Sequence, residues 1–109
     1  MESGNHIKKA TKAAMRTTDG ICIDAADNIY VADFSNNAVA RVTPAGKITV
    51  LAQNGDTDGR DGQLDQPGEP IVFDGRLVVT CFDVVTGPDK VNTGHDAPFT
   101  ISVIPLDRP

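Results

Sequence analysis

The chain has 109 residues, the length of one small domain, with ten Lys and Arg against fifteen Asp and Glu, for a net charge of −5. That acidity argues against nucleic acid or an anionic membrane surface as a partner, since both demand a basic face. A hydrophobic content of 39% excludes a disordered chain, and no apolar run approaches the roughly 20 residues of a membrane span. No apolar core follows the N-terminal basic residues, so no secretory leader is read and a cytoplasmic location is the default expectation. Two cysteines, Cys22 and Cys81, are too few for a disulfide scaffold.

Valine and isoleucine total nineteen against four leucines, and Asp outnumbers Glu thirteen to two. β-Branched residues suit a pleated, half-buried surface and Asp suits turns, so an all-β chain is expected. Residues 1–17 stand apart as a basic arm. Lys8, Lys9, Lys12 and Arg16 against Glu2 give it +3, while six positive and fourteen negative residues leave the remainder at −8. Ile7, Ala10, Ala14 and Met15 would share one face of a short helix, and an outer strand docked on the acidic body is the alternative.

Strands then follow quickly. Ile21-Cys22-Ile23-Asp24 is closed by the turn Ala25-Ala26-Asp27-Asn28, and Ile29-Tyr30-Val31-Ala32-Asp33 by Ser35-Asn36-Asn37. Val39-Ala40-Arg41-Val42 leads through Pro44-Ala45-Gly46 into Lys47-Ile48-Thr49-Val50-Leu51. Four strands with short turns, over residues 18–53, make one antiparallel meander. A polar loop is expected over residues 54–70.

The pattern then begins again over residues 71–109. Ile71-Val72-Phe73-Asp74, the turn at Gly75-Arg76, and Leu77-Val78-Val79-Thr80-Cys81-Phe82 repeat the first two strands. Laid on Ile21-Cys22-Ile23-Asp24, the copy lies fifty residues on; Tyr30-Val31-Ala32-Asp33 falls on Val79-Thr80-Cys81-Phe82 or one residue off. Residues 83–99 are inserted before a third strand, Thr100-Ile101-Ser102-Val103-Ile104, and no fourth follows. A four-stranded repeat of that period is the sequence form of a propeller blade. Closure takes at least about four blades, and this chain carries about one and three-quarters. Two blades alone leave apolar flanks and unpaired edges, so the chain is expected to be part of a longer protein or to close a ring with copies of itself. Three copies would make six blades, with three Asp19 and three Glu69 around the axis.

Asp19-Gly20-Ile21-Cys22-Ile23-Asp24-Ala25 with Asn28-Ile29-Tyr30-Val31-Ala32-Asp33 resembles the gluconolactonase and senescence-marker-protein (regucalcin) family of six-bladed propellers. The runs Leu64-Asp65-Gln66-Pro67-Gly68-Glu69-Pro70-Ile71-Val72 and Gly87-Pro88-Asp89-Lys90-Val91-Asn92-Thr93 resemble one bacterial branch of it. The likeness spans Thr18 to Leu106 and corresponds to the C-terminal third of a full-length member. It implies a divalent cation, Ca2+ first and Zn2+ or Mg2+ next, and hydrolysis of sugar lactones or related esters. The implied ligands are a Glu, one or two Asn and an Asp from different blades. Asp19 stands where the Asp ligand and base stands. The Glu and Asn positions belong to blades this sequence lacks, so the chain alone is expected to be inactive.

Blade geometry adds its own argument. The loop entering the first strand and the loop between the second and third lie at one end, which gathers Asp19, Glu69, Asp33, Ser35 and Asn36 with Asp83, Asp89, Asn92, His95 and Asp96. Oxygen donors suit a hard cation, and a carboxylate there can also take a proton from water. Asp19 and Glu69 are read at equivalent repeat positions, Glu69 as the weaker ligand. The competing reading makes Asp19 a turn former and Glu69 an acid bonding backbone amides. Residues 54–65 nearly fit a calcium loop, though Asn54 and Asp65 replace the usual end residues and no flanking helices are expected. His95 beside Asp96 reads as a surface histidine rather than a proton shuttle, and Cys22 and Cys81 as small buried hydrophobes.

Overall fold

The computed structural model describes Met15, residues 17–82, Val91 and residues 99–106. These residues form strands and turns without a helix, so an all-β chain is what folds. The expected helix or outer strand of the basic arm falls almost wholly outside them.

The first sheet is the meander β1 (Thr18–Ile23), β2 (Ile29–Asp33), β3 (Ala38–Val42) and β4 (Ile48–Gln53), paired antiparallel in chain order. The second is β5 (Pro67–Phe73), β6 (Arg76–Cys81) and β7 (Ile101–Pro105), again in chain order. Turn chemistry explains the hairpins. Asp74 and Gly75 both take positive φ, 53° and 73°, as the two-residue type I′ turn between Phe73 and Arg76 requires. After β1, the Asp24 carboxylate accepts bonds from the Ala26 and Asn28 amides, the Asn28 side chain and the Tyr30 hydroxyl, at 2.8–3.1 Å.

β5 starts at Pro67, so the loop expected over residues 54–70 ends at Gln66. Pro67 and Pro70 are tolerated because β5 is an edge strand, with a ladder on one side only.

The two ladders correspond pair by pair. Thr18 opposite Asp33 answers Pro67 opposite Cys81, and Ile21 opposite Val31 answers Pro70 opposite Val79. Cys22 with Tyr30 answers Ile71 with Val78, and Ile23 with Ile29 answers Val72 with Leu77. Each carries a bulge in the same place, after Thr18 and after Pro67. The repeat is therefore one residue shorter on the first strand than the fifty read from the sequence, and on the second the one-off alternative holds, Tyr30 on Val78. The look-alike aspartates Asp24 and Asp74 caused the slip, because each opens a turn of different length, residues 24–28 against residues 74–75.

Strand alternation puts Cys22, Tyr30 and Val39 on one face of the first sheet, and Val72, Leu77, Val79 and Ile104 on one face of the second. These two faces pack together around Leu64, which is 1% exposed. They are not equivalent faces. Cys22 and Tyr30 answer Ile71 and Val78, which lie on the far side of the second sheet, whereas Val72 and Leu77 answer Ile23 and Ile29. The sheets are stacked head to tail.

Polar groups fix that stacking. Asn37, fully buried at φ 51°, donates from Nδ2 to Gly55 O (2.8 Å) and Leu64 O (2.9 Å) and accepts at Oδ1 from the Gln66 amide (2.9 Å). Asn54 Oδ1 takes the Leu64 amide, Thr57 Oγ1 donates to Leu64 O, and Ser102 Oγ donates to Gln63 O. The connector is thus held from both sheets.

Replacing Asn37 by Ala leaves the buried Gln66 amide without its acceptor and removes a donor from the Gly55 and Leu64 carbonyls, and should cost about 1–3 kcal/mol in urea unfolding; Asn37→Asp, which buries a carboxylate against those two carbonyls, should do no better. Burial pushes the Asp24 carboxyl upward, but bonds from the Asn28 side chain and backbone, Tyr30 and Ala26 outweigh it and hold it below its ordinary value. A lowered folded-state pKa adds stability that is complete above the unfolded value of about 4 and lost as pH falls through the folded one. Asp24→Ala should therefore cost about 0.5–1 kcal/mol near pH 7 at this solvent-facing turn, a gap that narrows as melts are run at pH below the ordinary carboxylate range.

Candidate functional site

β1 and β5 lie side by side without a shared ladder. Asp19 sits by Gly68, Gly20 by Glu69, and Cys22 by Val72, so the strands run in the same direction. The approach is close enough to need glycine on both. A methyl on Gly20 would strike the Glu69 carboxylate and stand 2.6 Å from the Gly68 carbonyl oxygen. A methyl on Gly68 would stand 2.9 Å from Phe82 Cδ1, with Asp19 Oδ2 at 3.6 Å. The two carboxylates therefore flank one seam, each against the other strand's glycine, and both residues are exposed.

This placement corrects two readings of the sequence. Asp19 and Glu69 lie within β1 and β5, at their bulges, rather than in loops entering the strands. Nor are they repeat equivalents: Asp19 answers Gly68, and Gly20 answers Glu69. The juxtaposition arises from neighbouring strands, not from symmetry between the repeats. Gly68 and Phe82 escaped the sequence reading, although a glycine immediately before an exposed acid in an edge strand is the signal of close backbone approach.

The same end of the molecule collects the β2–β3 turn. Asp33, 2% exposed, accepts from the Thr17 amide (3.2 Å) and the Asn36 side chain (2.8 Å). Thr17 Oγ1 accepts from the Ser35 amide, and the Ser35 carbonyl takes the Val91 amide at 2.9 Å. Phe34 and Phe82 meet edge to face with ring centroids 5.8 Å apart, closing the floor beside Gly68. Burial raises the Cys22 thiol; the Val72 backbone opposes this, and the Asp24 and Glu69 carboxylates add to it. Cys22 is thus a neutral thiol near neutral pH, a packing group rather than a nucleophile.

A hard cation takes six to eight oxygens. Asp19 and Glu69 offer carboxylates at the seam, while Asp33 already serves Thr17 and Asn36. Among the described residues, no group of three His, Cys, Asp or Glu converges as a ligand set. Asp83, Asp89, Asn92, His95 and Asp96 lie outside the described residues. The calcium-loop likeness of residues 54–65 meets a different arrangement: Asn54 spends its side-chain oxygen on the Leu64 amide, Asp65 is fully buried with its amide on Cys81 Sγ, and Asp58 pairs with Arg60.

No helix among the described residues is long and apolar enough to cross a membrane. Comparison with protein-family models, with curated proteins and with solved structures finds nothing that matches this chain.

Gly20→Ala forces β1 and β5 apart against backbone that cannot yield. It should lower stability by about 1–3 kcal/mol in denaturant unfolding. Gly55→Ala, with open space around it, serves as the control and should stay within about 0.5 kcal/mol of the parent.

Proposed function

We propose that this chain is two neighbouring blades of a metal-dependent lactone or ester hydrolase propeller of the gluconolactonase and regucalcin type, with Asp19 at the mouth of its central channel. The observation that carries this reading is the head-to-tail stacking of two sheets with matching ladders and bulges. Propeller blades pack in that way, each presenting to the next a face it does not share. The inner strands β1 and β5 then line the channel, and Asp19 and Glu69 stand at one end of it.

A divalent cation bound at this mouth, Ca2+ first and Zn2+ or Mg2+ next, would supply Lewis acidity toward the carbonyl of a sugar lactone. Asp19, exposed at the start of β1, is the group on this chain that accepts a proton from the attacking water. The water oxygen bonds to the carbonyl carbon, the ring C–O bond breaks, and the departing alkoxide takes a proton to give the hydroxy acid. Asp19 and Glu69 are the residues of this chain that would hold the cation. The remaining ligands belong to other blades, so the isolated chain turns over no lactone.

A second reading keeps the propeller and drops the chemistry: a non-catalytic fragment or cation-binding module. What favours it is that Asp19 and Glu69 lie along the seam without a third His, Cys, Asp or Glu converging on them among the described residues.

Grafting residues 18–106 in place of the C-terminal third of an active lactonase propeller separates the two. The hydrolase reading expects metal-dependent lactone opening that falls by about 10²–10⁴-fold in Asp19→Asn, measured by pH-stat. A graft that folds and binds Ca2+ by calorimetry yet opens no lactone selects the binding module. One that folds and binds no cation defeats both.

A further inference from the structure

Each sheet has one face in the interior and one left over, and the leftover faces are apolar. On the second sheet Ile71, Phe73, Ile101 and Val103 are 51–64% exposed. On the first, Ile21, Ile23 and Val50 are 53–62% exposed, beside Val31 and Ala40, which are already buried. An isolated large apolar side chain on a surface needs no explanation, but two sheet faces carrying rows of them do.

The ladder correspondence identifies the match for each face. Ile71, Val78 and Val103 answer Cys22, Tyr30 and Arg41, the face of the first sheet that packs on the second. Ile21, Ile23 and Val31 answer Pro70, Val72 and Val79, the face of the second sheet that receives it. The outer face of the second sheet therefore repeats the donor side of the internal contact, and the outer face of the first sheet, exposed at Ile21, Ile23 and Val50, repeats its acceptor side. A second copy carries both.

We propose that the outer face of β5–β7 docks on the outer face of β1–β4 of a second copy, continuing between chains the contact that joins the two sheets within one. The interface is heterologous, so it propagates into a closed ring or an open stack rather than pairing one patch with itself. Within each such contact the start of β5 comes beside the start of the partner's β1, and the seam that holds Asp19 and Glu69 recurs around the assembly. The inference rests on the register of the two sheets and stands apart from any catalytic assignment.

The test uses two variants of the full chain. Ile71→Asp with Val103→Asp spoils one face, and Ile21→Asp with Ile23→Asp spoils the other. Light scattering on a sizing column should find the parent chain associated and each variant monomeric. An equimolar mixture of the two should give a one-to-one dimer that grows no further, because one intact face of each kind remains. Far-UV circular dichroism matching the parent shows that the variants fold; should the β1 pair not fold, Val50→Lys tests the same face from β4. A monomeric parent, a variant that still associates alone, or a mixture that stays monomeric overturns the proposal.

Discussion

Asn37 is the residue on which the arrangement of the two sheets depends. Its side chain is sealed from water, and all of its strong hydrogen-bonding directions but one are filled by backbone of the connector: Gly55 and Leu64 carbonyls and the Gln66 amide. An amide buried without partners would cost several kcal/mol, so the connector is drawn to the one place where it meets them. That place sets Leu64 between the sheets and delivers the chain into Pro67 beside β1. The left-handed backbone at Asn37 is part of the same device, since asparagine adopts that conformation more readily than most residues.

The seam is the product of that delivery. With β5 placed alongside β1, Gly20 and Gly68 allow contact at backbone distance, and the acid next to each glycine in sequence lies against the glycine of the other strand. Neither the strand pairing nor the repeat would have done this. The carboxylates line one seam because the sheets are stacked with a stagger of one position, acid against glycine on each side. Cys22 registers the same closeness, its sulfur hydrogen-bonded to the Val72 backbone across the seam.

The all-β character and the meander order were plain in the sequence, because alternation, β-branched residues and Asp- or Gly-bearing turns act locally and report locally. Every turn of the first sheet falls where those residues stand. The repeat was legible too, but its offset was not. Asp24 and Asp74 look like the same landmark, and only pairing partners reveal that one opens a longer turn than the other. Asp19 and Glu69 could be named as acids gathered at one end of the strands, though as members of entering loops. Their shared seam could not, since it depends on Asn37 and Gln66, polar residues in segments that read as ordinary turn and loop. A buried amide that closes three backbone bonds has no signature in a single sequence. The tyrosine hydroxyl on Asp24 is a further case, a pair six positions apart that strand periodicity alone does not connect.

The two prolines of β5 bear on how the chain reaches this state. Pairing within each sheet is between neighbours in sequence, so either meander can form early and without the other. Two half-made sheets with open edges would then be free to zip into one larger sheet, β1 onto β5, which run in the same direction at close range. Pro67 and Pro70 withhold two of the amide hydrogens such a ladder needs. The strand can approach β1 through side chains and glycines, but it cannot be absorbed into the first sheet. The prolines thus disfavour a merger of the two sheets through β1 and β5, and they do so from a stretch whose composition suggests only a loop.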